Sequence, residues 1–308
     1  MLQTIEPTMA REGMRYWRLK PDARLRPWIL CYWMVEPDPE TAVPASATDP
    51  DKLQLLIPDG HSEIVFMLAG SFTRWNIDTP AKRAQMSVSY VISGRSKSVF
   101  TQSSGGLRLA GVKLDPRALR TLLGMPLSEF RDSTPACSDL GVAALSELET
   151  RIANLRVVDQ VASAFDQFFL RRMTDGFREE NAVSHLLERI RATRGSQSIL
   201  QWAREHRVDP RTLERRFVAQ MGMAPKQFAR IERFKHSYHG LSTQQGKGRS
   251  YLEPYYDESH FNREFRNFLG MSPMTWLNHQ AEFRTTIADH LLEGELSSSF
   301  NASAGGVK

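Results

Sequence analysis

The chain has 308 residues, 41% hydrophobic and 24% charged, which is the composition of a globular protein large enough for two domains. It contains no apolar run of about 18 residues, which excludes a transmembrane helix, and its first residues lack the layout of a secretory signal. Its two cysteines, Cys31 and Cys137, lie far apart. This spacing excludes a disulfide scaffold or a zinc finger and favours a cytoplasmic protein.

The positive charge is concentrated in one segment. Residues 178–284 hold 18 Lys and Arg against 12 Asp and Glu, a net charge of +6, whereas the remaining residues hold 22 against 23, a net charge of −1. A near-neutral part joined to a basic part indicates a sensing or assembly domain attached to a domain that binds a polyanion. An arginine-rich solvated surface would give the same count.

The first half of the chain predicts β-structure with flanking helices. After a lead-in over residues 1–20, apolar runs bounded by turn residues predict strands at 28–35, 53–57, 63–68, 89–93 and 107–112. Their close spacing favours an antiparallel sandwich or barrel in a domain over residues 20–175. The aromatic residues of this domain belong either to its core or to an effector pocket, so the effector-binding residues stay unknown; they are Trp28, Tyr32, Trp33, Phe66 and Trp75.

Helical periodicity takes over at residue 116. A short helix is predicted over 116–124, and apolar residues spaced by three and four predict two amphipathic helices within 140–173. Their apolar faces pack on their own domain or, alternatively, form a dimer contact. We place a linker near 174–176 and expect the small and polar residues 294–308 to form a disordered tail.

An internal repeat lies in the basic segment. Residues 209–228 (DPRTLERRFVAQMGMAPKQF) align with residues 257–276 (DESHFNREFRNFLGMSPMTW) at an offset of 48. Each unit begins with an aspartate suited to cap a helix, has a glycine that ends the helix, and has a proline that opens the next one. With a preceding helix at about 199–203, the pattern predicts a helix–turn–helix.

The exposed side of each predicted second helix carries residues that suit reading of base edges. Arginine pairs with guanine, asparagine pairs with adenine, and serine or histidine reaches either kind of edge. A solvated bundle surface would also carry arginine, but two matched units in the basic segment favour DNA binding.

At these residues the chain resembles the AraC/XylS family of bacterial transcription regulators. The stretch 257–266 (DESHFNREFR), followed by 270–273 (GMSP), looks like the signature of that family's second helix–turn–helix, and 198–234 is similar to the first. Residues 55–66 and 110–132 more weakly resemble β-rich domains attached to such regulators.

The resemblance implies an α+β protein whose β-rich N-terminal domain precedes an all-α DNA-binding domain over 180–285. That domain would hold helix–turn–helix units at about 197–220 and 249–268, joined by a long helix at about 225–239. The implied partners are double-stranded DNA and RNA polymerase, and the implied role is activation or repression of transcription. A homodimer and a small-molecule effector stay open, and neither a cofactor nor a membrane is implied.

Carried over by position, the base-reading residues are Arg211, Glu214, Arg215, Ser259, His260, Asn262 and Arg263. The resemblance and the positive charge also suggest backbone contacts at Asp209, Thr212, Arg216, Lys226 and Arg230. The chain departs from the family pattern at Pro254, where a glycine is usual. Proline lacks an amide hydrogen and cannot adopt positive φ, so we expect a short first helix or a different turn in the second unit.

The sequence leaves two other functions to consider. One is a regulator that acts through protein–protein contacts, with a weakened second helix–turn–helix. The other is a metal enzyme of the cupin type, which is disfavoured because only His61 of the eight histidines precedes residue 185. Signature motifs of serine hydrolases and of phosphate-binding loops are also missing from the sequence. We therefore expect no catalysis.

Overall fold

The computed structural model describes residues 9–11, 14–38, 53–103, 106–173, 182–244 and 250–279. The predicted linker at 174–176 and the predicted tail at 294–308 lie outside these ranges. The described residues form an antiparallel β-domain followed by a helical C-terminal region, which confirms the predicted α+β class.

The β-domain consists of two antiparallel sheets. The strands are β1 (Met9–Arg11), β2 (Met14–Leu19), β3 (Ile29–Pro37), β4 (Leu53–Leu56), β5 (Ser62–Ala69), β6 (Phe72–Asn76), β7 (Ala84–Met86), β8 (Tyr90–Ile92), β9 (Val99–Ser103) and β10 (Arg108–Leu114). One sheet has the order β1-β2-β3-β10-β5-β8, and the other has the order β4-β9-β6-β7. All seven residues of β10 are buried, as expected for a strand paired on both sides and covered on both faces.

The sequence does not predict five of the ten described strands. The strands β1 and β2 lie in the stretch that predicts only a lead-in. The strands β6, β7 and β9 lie in the smaller sheet and mix apolar residues with polar ones. Because they are partly exposed, they lack the continuous apolar runs that mark the buried strands of the larger sheet.

The helices in the described ranges are α1 (Pro116–Leu123), α2 (Ala143–Ala153), α3 (Val158–Met173), α4 (Ala182–Ala192), α5 (Ile199–Glu205), α6 (Pro210–Met221), α7 (Pro225–Gln244), α8 (Glu258–Leu269) and α9 (Pro273–His279). None of them combines the length and the apolar character of a membrane span. The helix α7 is the predicted long connecting helix, extended beyond its expected end.

Helices α1 to α3 cover the outer face of the larger sheet. Phe165 and Phe169 of α3 are fully buried, and the ring centroid of Tyr32 on β3 lies 4.9 Å from that of Phe165. The Tyr32 hydroxyl donates to Asp166 at 2.9 Å. The apolar face of α3 therefore packs on its own domain, and the predicted dimer contact finds no support in this packing.

A second apolar core joins the two halves of the chain. It contains the buried residues of α4 to α9, and Leu55 and Ile57, at and just after β4, are buried within it. The β-domain and the C-terminal helices are thus in close contact, and this contact bears on the site described below.

Candidate DNA interface

Each predicted reading helix begins and ends as the repeat implies. The Asp209 carboxylate accepts a hydrogen bond from the Thr212 amide at 2.8 Å, and the Asp257 carboxylate accepts one from the His260 amide at 2.6 Å. The amide hydrogen bonds at the helix start lower the pKa of Asp209. The side chain of Asp209 is therefore a cap. Its carboxylate has no proton to donate, so the predicted phosphate contact at this residue could come only from the backbone.

Glycine ends both helices in the left-handed conformation. Gly222 has φ of 72° and Gly270 has φ of 71°, and each amide donates to the carbonyl four residues earlier, at 2.9 and 2.8 Å. Other residues adopt this conformation at a cost, which explains glycine at both positions. The two reading helices therefore match in how they begin and end.

The two units pack along α7. In the first unit the ring of Phe217 lies edge-on to Phe228, at 5.9 Å between centroids. In the second, Phe234 of α7 stacks on Phe268 at 4.5 Å and meets Phe265 edge-on at 5.8 Å. The buried aromatic stripe of each reading helix thus faces α7.

The opposite face of each unit is exposed. Arg211, Glu214, Arg215 and Arg216 of α6 are exposed, as is Lys226 at the start of α7, and Thr212 is half-buried. On α8, Ser259 and Arg263 are exposed, whereas His260 and Asn262 are half-buried. Within the described residues, neither Arg215 nor Arg263 makes an ion pair or a side-chain hydrogen bond.

Arg230 makes a contact that its charge alone does not indicate. Its guanidinium donates to both carboxylate oxygens of Glu264, from Nε at 2.8 Å and from the terminal nitrogen at 3.0 Å. Glu264 is buried on α8, so the pair joins α7 to the second unit. Arg230 therefore takes part in a contact between helices, and its phosphate contact stays a prediction.

The second unit differs from the first ahead of its reading helix. Where the first unit has α5, the described residues before α8 hold only a single turn of 3-10 helix, Ser250–Leu252. The rings of Tyr251 and Tyr255 pack on Phe261 at 5.2 and 5.4 Å between centroids. Aromatic packing therefore supports α8 on both sides of Pro254, in agreement with the predicted short first helix.

One exposed residue beside this interface was missed by sequence analysis. Tyr256, directly before the capping residue Asp257, is 93% exposed. Tyrosine hydroxyls donate to phosphate oxygens in many protein–DNA complexes. Its neighbour Tyr255 is buried, and the sequence pattern offers no signal that separates the two residues.

The β-domain contains a cleft whose enclosed part is about 70 Å³ and which reaches about 700 Å³ when its open mouth is counted. Its apolar wall includes Leu56, Val65, Phe72, Leu107 and Leu109, and its polar lining includes Gln54, Asp59, Glu63, Arg95, Thr101 and Lys113. Of the aromatic residues considered above, Trp33 also lines the cleft, whereas Tyr32 and Phe66 belong to the core.

The charges in this cleft are paired. Lys113, which is 1% exposed, forms an ion pair with Asp59, and Arg95 pairs with Glu63 at 3.2 Å. Burial raises the pKa of Asp59, but Lys113 and His61 outweigh it and hold this pKa below its ordinary value. The buried Trp33 Nε1 has no hydrogen-bond partner within the described residues.

Two parts of the chain match known protein families. Residues 17–136 match the family described as Domain of unknown function (DUF6597), and residues 202–279 match the family described as Helix-turn-helix domain. No curated protein matches the chain.

Solved structures also resemble the chain, at low identity. One is ToxT from Vibrio cholerae strain SCE256 with a bound unsaturated fatty acid, at 12% identity and a TM-score of 0.38, covering 87% of this chain and 97% of that one. Another is the AraC-like transcriptional activator CuxR, at 9% identity and a TM-score of 0.25, covering 73% of this chain and 87% of that one.

The helix-turn-helix match spans both units, each of which presents an exposed arginine on a capped helix, and these features define a helix–turn–helix DNA-binding protein. The resemblance at residues 257–266 and 270–273 identifies the kind of protein more closely. In this domain the chain is similar to AraC-like DNA-binding transcription regulators.

Proposed function

We propose that both units read DNA together, each placing its second helix in an adjacent segment of the major groove. The observation that carries this proposal is the matched geometry of α6 and α8, which share caps and buried stripes and present Arg215 and Arg263 at corresponding exposed positions. The base-reading residues would be Arg211, Glu214 and Arg215 on α6, and Ser259, His260, Asn262 and Arg263 on α8. Arg216 and Lys226 would contact the phosphate backbone.

A selection from random duplexes tests this proposal, with the wild type and the variants Arg215→Ala and Arg263→Ala. We expect two half-elements about one helical turn apart in the wild-type motif. Each variant should lose about 1–3 kcal/mol of specific binding and relax the preference at one base pair, because one bidentate contact to a base edge is removed.

Lys226→Ala serves as the matched control. Removing a phosphate contact should weaken binding to all sequences alike and lower the salt slope by about 1. A motif with a single short element would favour the alternative with a weakened second unit. No enrichment at any salt concentration would contradict the DNA-reading proposal.

We further propose that the cleft of the β-domain takes a small molecule that modulates DNA binding. Its apolar wall, to which the indole of Trp33 contributes, suits an aromatic or aliphatic body. Because Lys113 and Arg95 are each paired with a carboxylate, the cleft offers no uncompensated positive charge. These features favour a neutral ligand over an anion.

Thermal unfolding in the presence of small neutral aromatic amides and alcohols tests this ligand class, with benzoate as the anionic comparison. Neutral compounds should raise the unfolding temperature, since they stabilise the folded state that binds them. Trp33→Phe replaces the indole by a smaller phenyl ring and removes the N–H donor, so affinity should fall by up to about tenfold. The ligand proposal fails if only benzoate stabilises the protein or if Trp33→Phe binds as the wild type does.

A further inference from the structure

Residues 93–98, which join β8 to β9, form a segment that we call the strap. The strap is fixed to the β-domain along its length. The amide and the hydroxyl of Ser96 both donate to the Asp132 carboxylate at 2.7 Å, and Arg95 pairs with Glu63 at 3.2 Å. The strap therefore moves with the β-domain, and through Arg95 it also lines the cleft.

The strap lies against the first helix–turn–helix unit at Gly94. A Cβ atom built on Gly94 would come within 2.8 Å of Cε of Met223, which is 2% exposed in the turn between α6 and α7. The missing side chain lets the strap approach this turn closely. On the same side, a Cβ built on Gly222 would lie 3.3 Å from the carbonyl oxygen of Leu127 in the β-domain.

The strap contacts the second unit three and four residues later. Nζ of Lys97 donates to Oδ1 of Asn267 at 2.9 Å, and the Ser98 amide donates to the carbonyl oxygen of Phe268 at 3.3 Å. Both acceptors lie in the last turn of α8. One short segment thus touches both units within six residues of sequence.

These contacts lie away from the reading residues. The strap meets α8 at its C-terminal end and meets the first unit in the turn after α6, whereas Arg215 and Arg263 are exposed. The strap therefore leaves both reading faces open. A role in blocking DNA does not fit this arrangement.

We propose that the strap positions the two units relative to each other, and so determines which spacing between two DNA half-elements the protein accepts. This inference rests on the proposed reading of DNA by both units. Each unit packs on α7 mainly through apolar side chains, which allow small rolling movements, and the Arg230–Glu264 pair restrains the second unit further. The strap, held by the β-domain, touches both units and removes this freedom before DNA is bound. Such pre-organisation strengthens binding to DNA at one spacing of the half-elements only.

Binding of the full-length protein to a duplex series tests the role of the strap. The series carries the selected half-elements with inserts from one to about five base pairs, the longest turning one half-element by half a helical turn. The variants are Lys97→Met, which removes the hydrogen bond to Asn267 together with an ion pair to Asp78 of the β-domain at 3.0 Å, and Gly94→Leu, which wedges the strap away from Met223. Both variants should bind the selected spacing about three- to tenfold more weakly, as expected for the loss of about one hydrogen bond, and should discriminate less against the inserts.

Two further variants distinguish the positioning role of the strap from a mere loss of positive charge. Lys97→Arg keeps the donor and should retain the wild-type discrimination, and Lys82→Met removes the same charge from an exposed site of the β-domain. Wild-type discrimination in both test variants would overturn the proposal. So would an equal loss on every duplex with a smaller salt slope, since this marks Lys97 as a phosphate contact. Failure of the wild type to bind any duplex would instead refute the underlying DNA-reading function.

Discussion

At the scale of single residues, His236 makes the stability of the helical region depend on pH. The side chain of Arg194 donates to Nε2 of His236 at 3.2 Å, so the imidazole accepts this bond in its neutral form. Partial burial, with Arg194 next to it, lowers the pKa of His236 from its ordinary value of 6.5 to about 4, against a smaller opposing effect of Glu253. In the unfolded chain the same residue binds a proton more readily.

We predict that His236 lowers the stability of the protein as the medium becomes acidic. Between its unfolded pKa and its folded pKa the unfolded state binds more protons, so the free energy of unfolding falls as pH falls through this window. His236→Gln retains an acceptor for Arg194 and cannot titrate. Its unfolding temperature should therefore drop less than that of the wild type between about pH 7 and about pH 5.

The exposed His185→Gln is the control, and it should follow the wild type. An equal drop in the wild type and in His236→Gln would show that His236 does not contribute to the pH dependence.

At the scale of elements, the sequence predicts the caps of helices but not the contacts between helices. The caps Asp209 and Asp257 act on amides three residues away, so their pattern is visible in the sequence. The pair between Arg230 and Glu264 joins residues 34 positions apart and was missed. Charge alone suggested a phosphate contact for Arg230, because nothing in the sequence indicates which carboxylate faces it after folding.

We predict that the Arg230–Glu264 pair stabilises the contact between α7 and α8. Arg230→Met should lower the free energy of unfolding by about 1–3 kcal/mol, because the buried Glu264 carboxylate loses its partner. The double variant Arg230→Met with Glu264→Gln should recover part of this loss, since no charge is then left buried. Urea denaturation measures both effects.

Arg216→Met removes an exposed arginine from α6 and should leave the unfolding free energy unchanged. If Arg230→Met were equally neutral for stability and instead reduced the salt slope of DNA binding, the original phosphate assignment would be restored.

At the scale of the molecule, the sequence predicts two structural regions but gives no sign of their contact. The apolar run at 53–57 predicts a strand, which the structure confirms as β4, yet the side chains of Leu55 and Ile57 pack in the C-terminal core. An apolar residue looks the same in a sequence whether it packs on its own sheet or on a distant helix. The contacts of the strap cannot be predicted from the sequence either, because nothing there shows which residues Gly94 and Lys97 will meet.

The shared core sets a limit on how such a regulator can be recombined with others. Leu55 and Ile57 come from the first half of the chain, and they are buried at 0% and 3% exposure among the helices of the second half. A chimera that joins the DNA-binding helices to a foreign sensor loses these side chains and opens an apolar hollow beneath α7. Exchange of specificity between relatives is therefore easier at the exposed faces of α6 and α8 than by swapping whole halves.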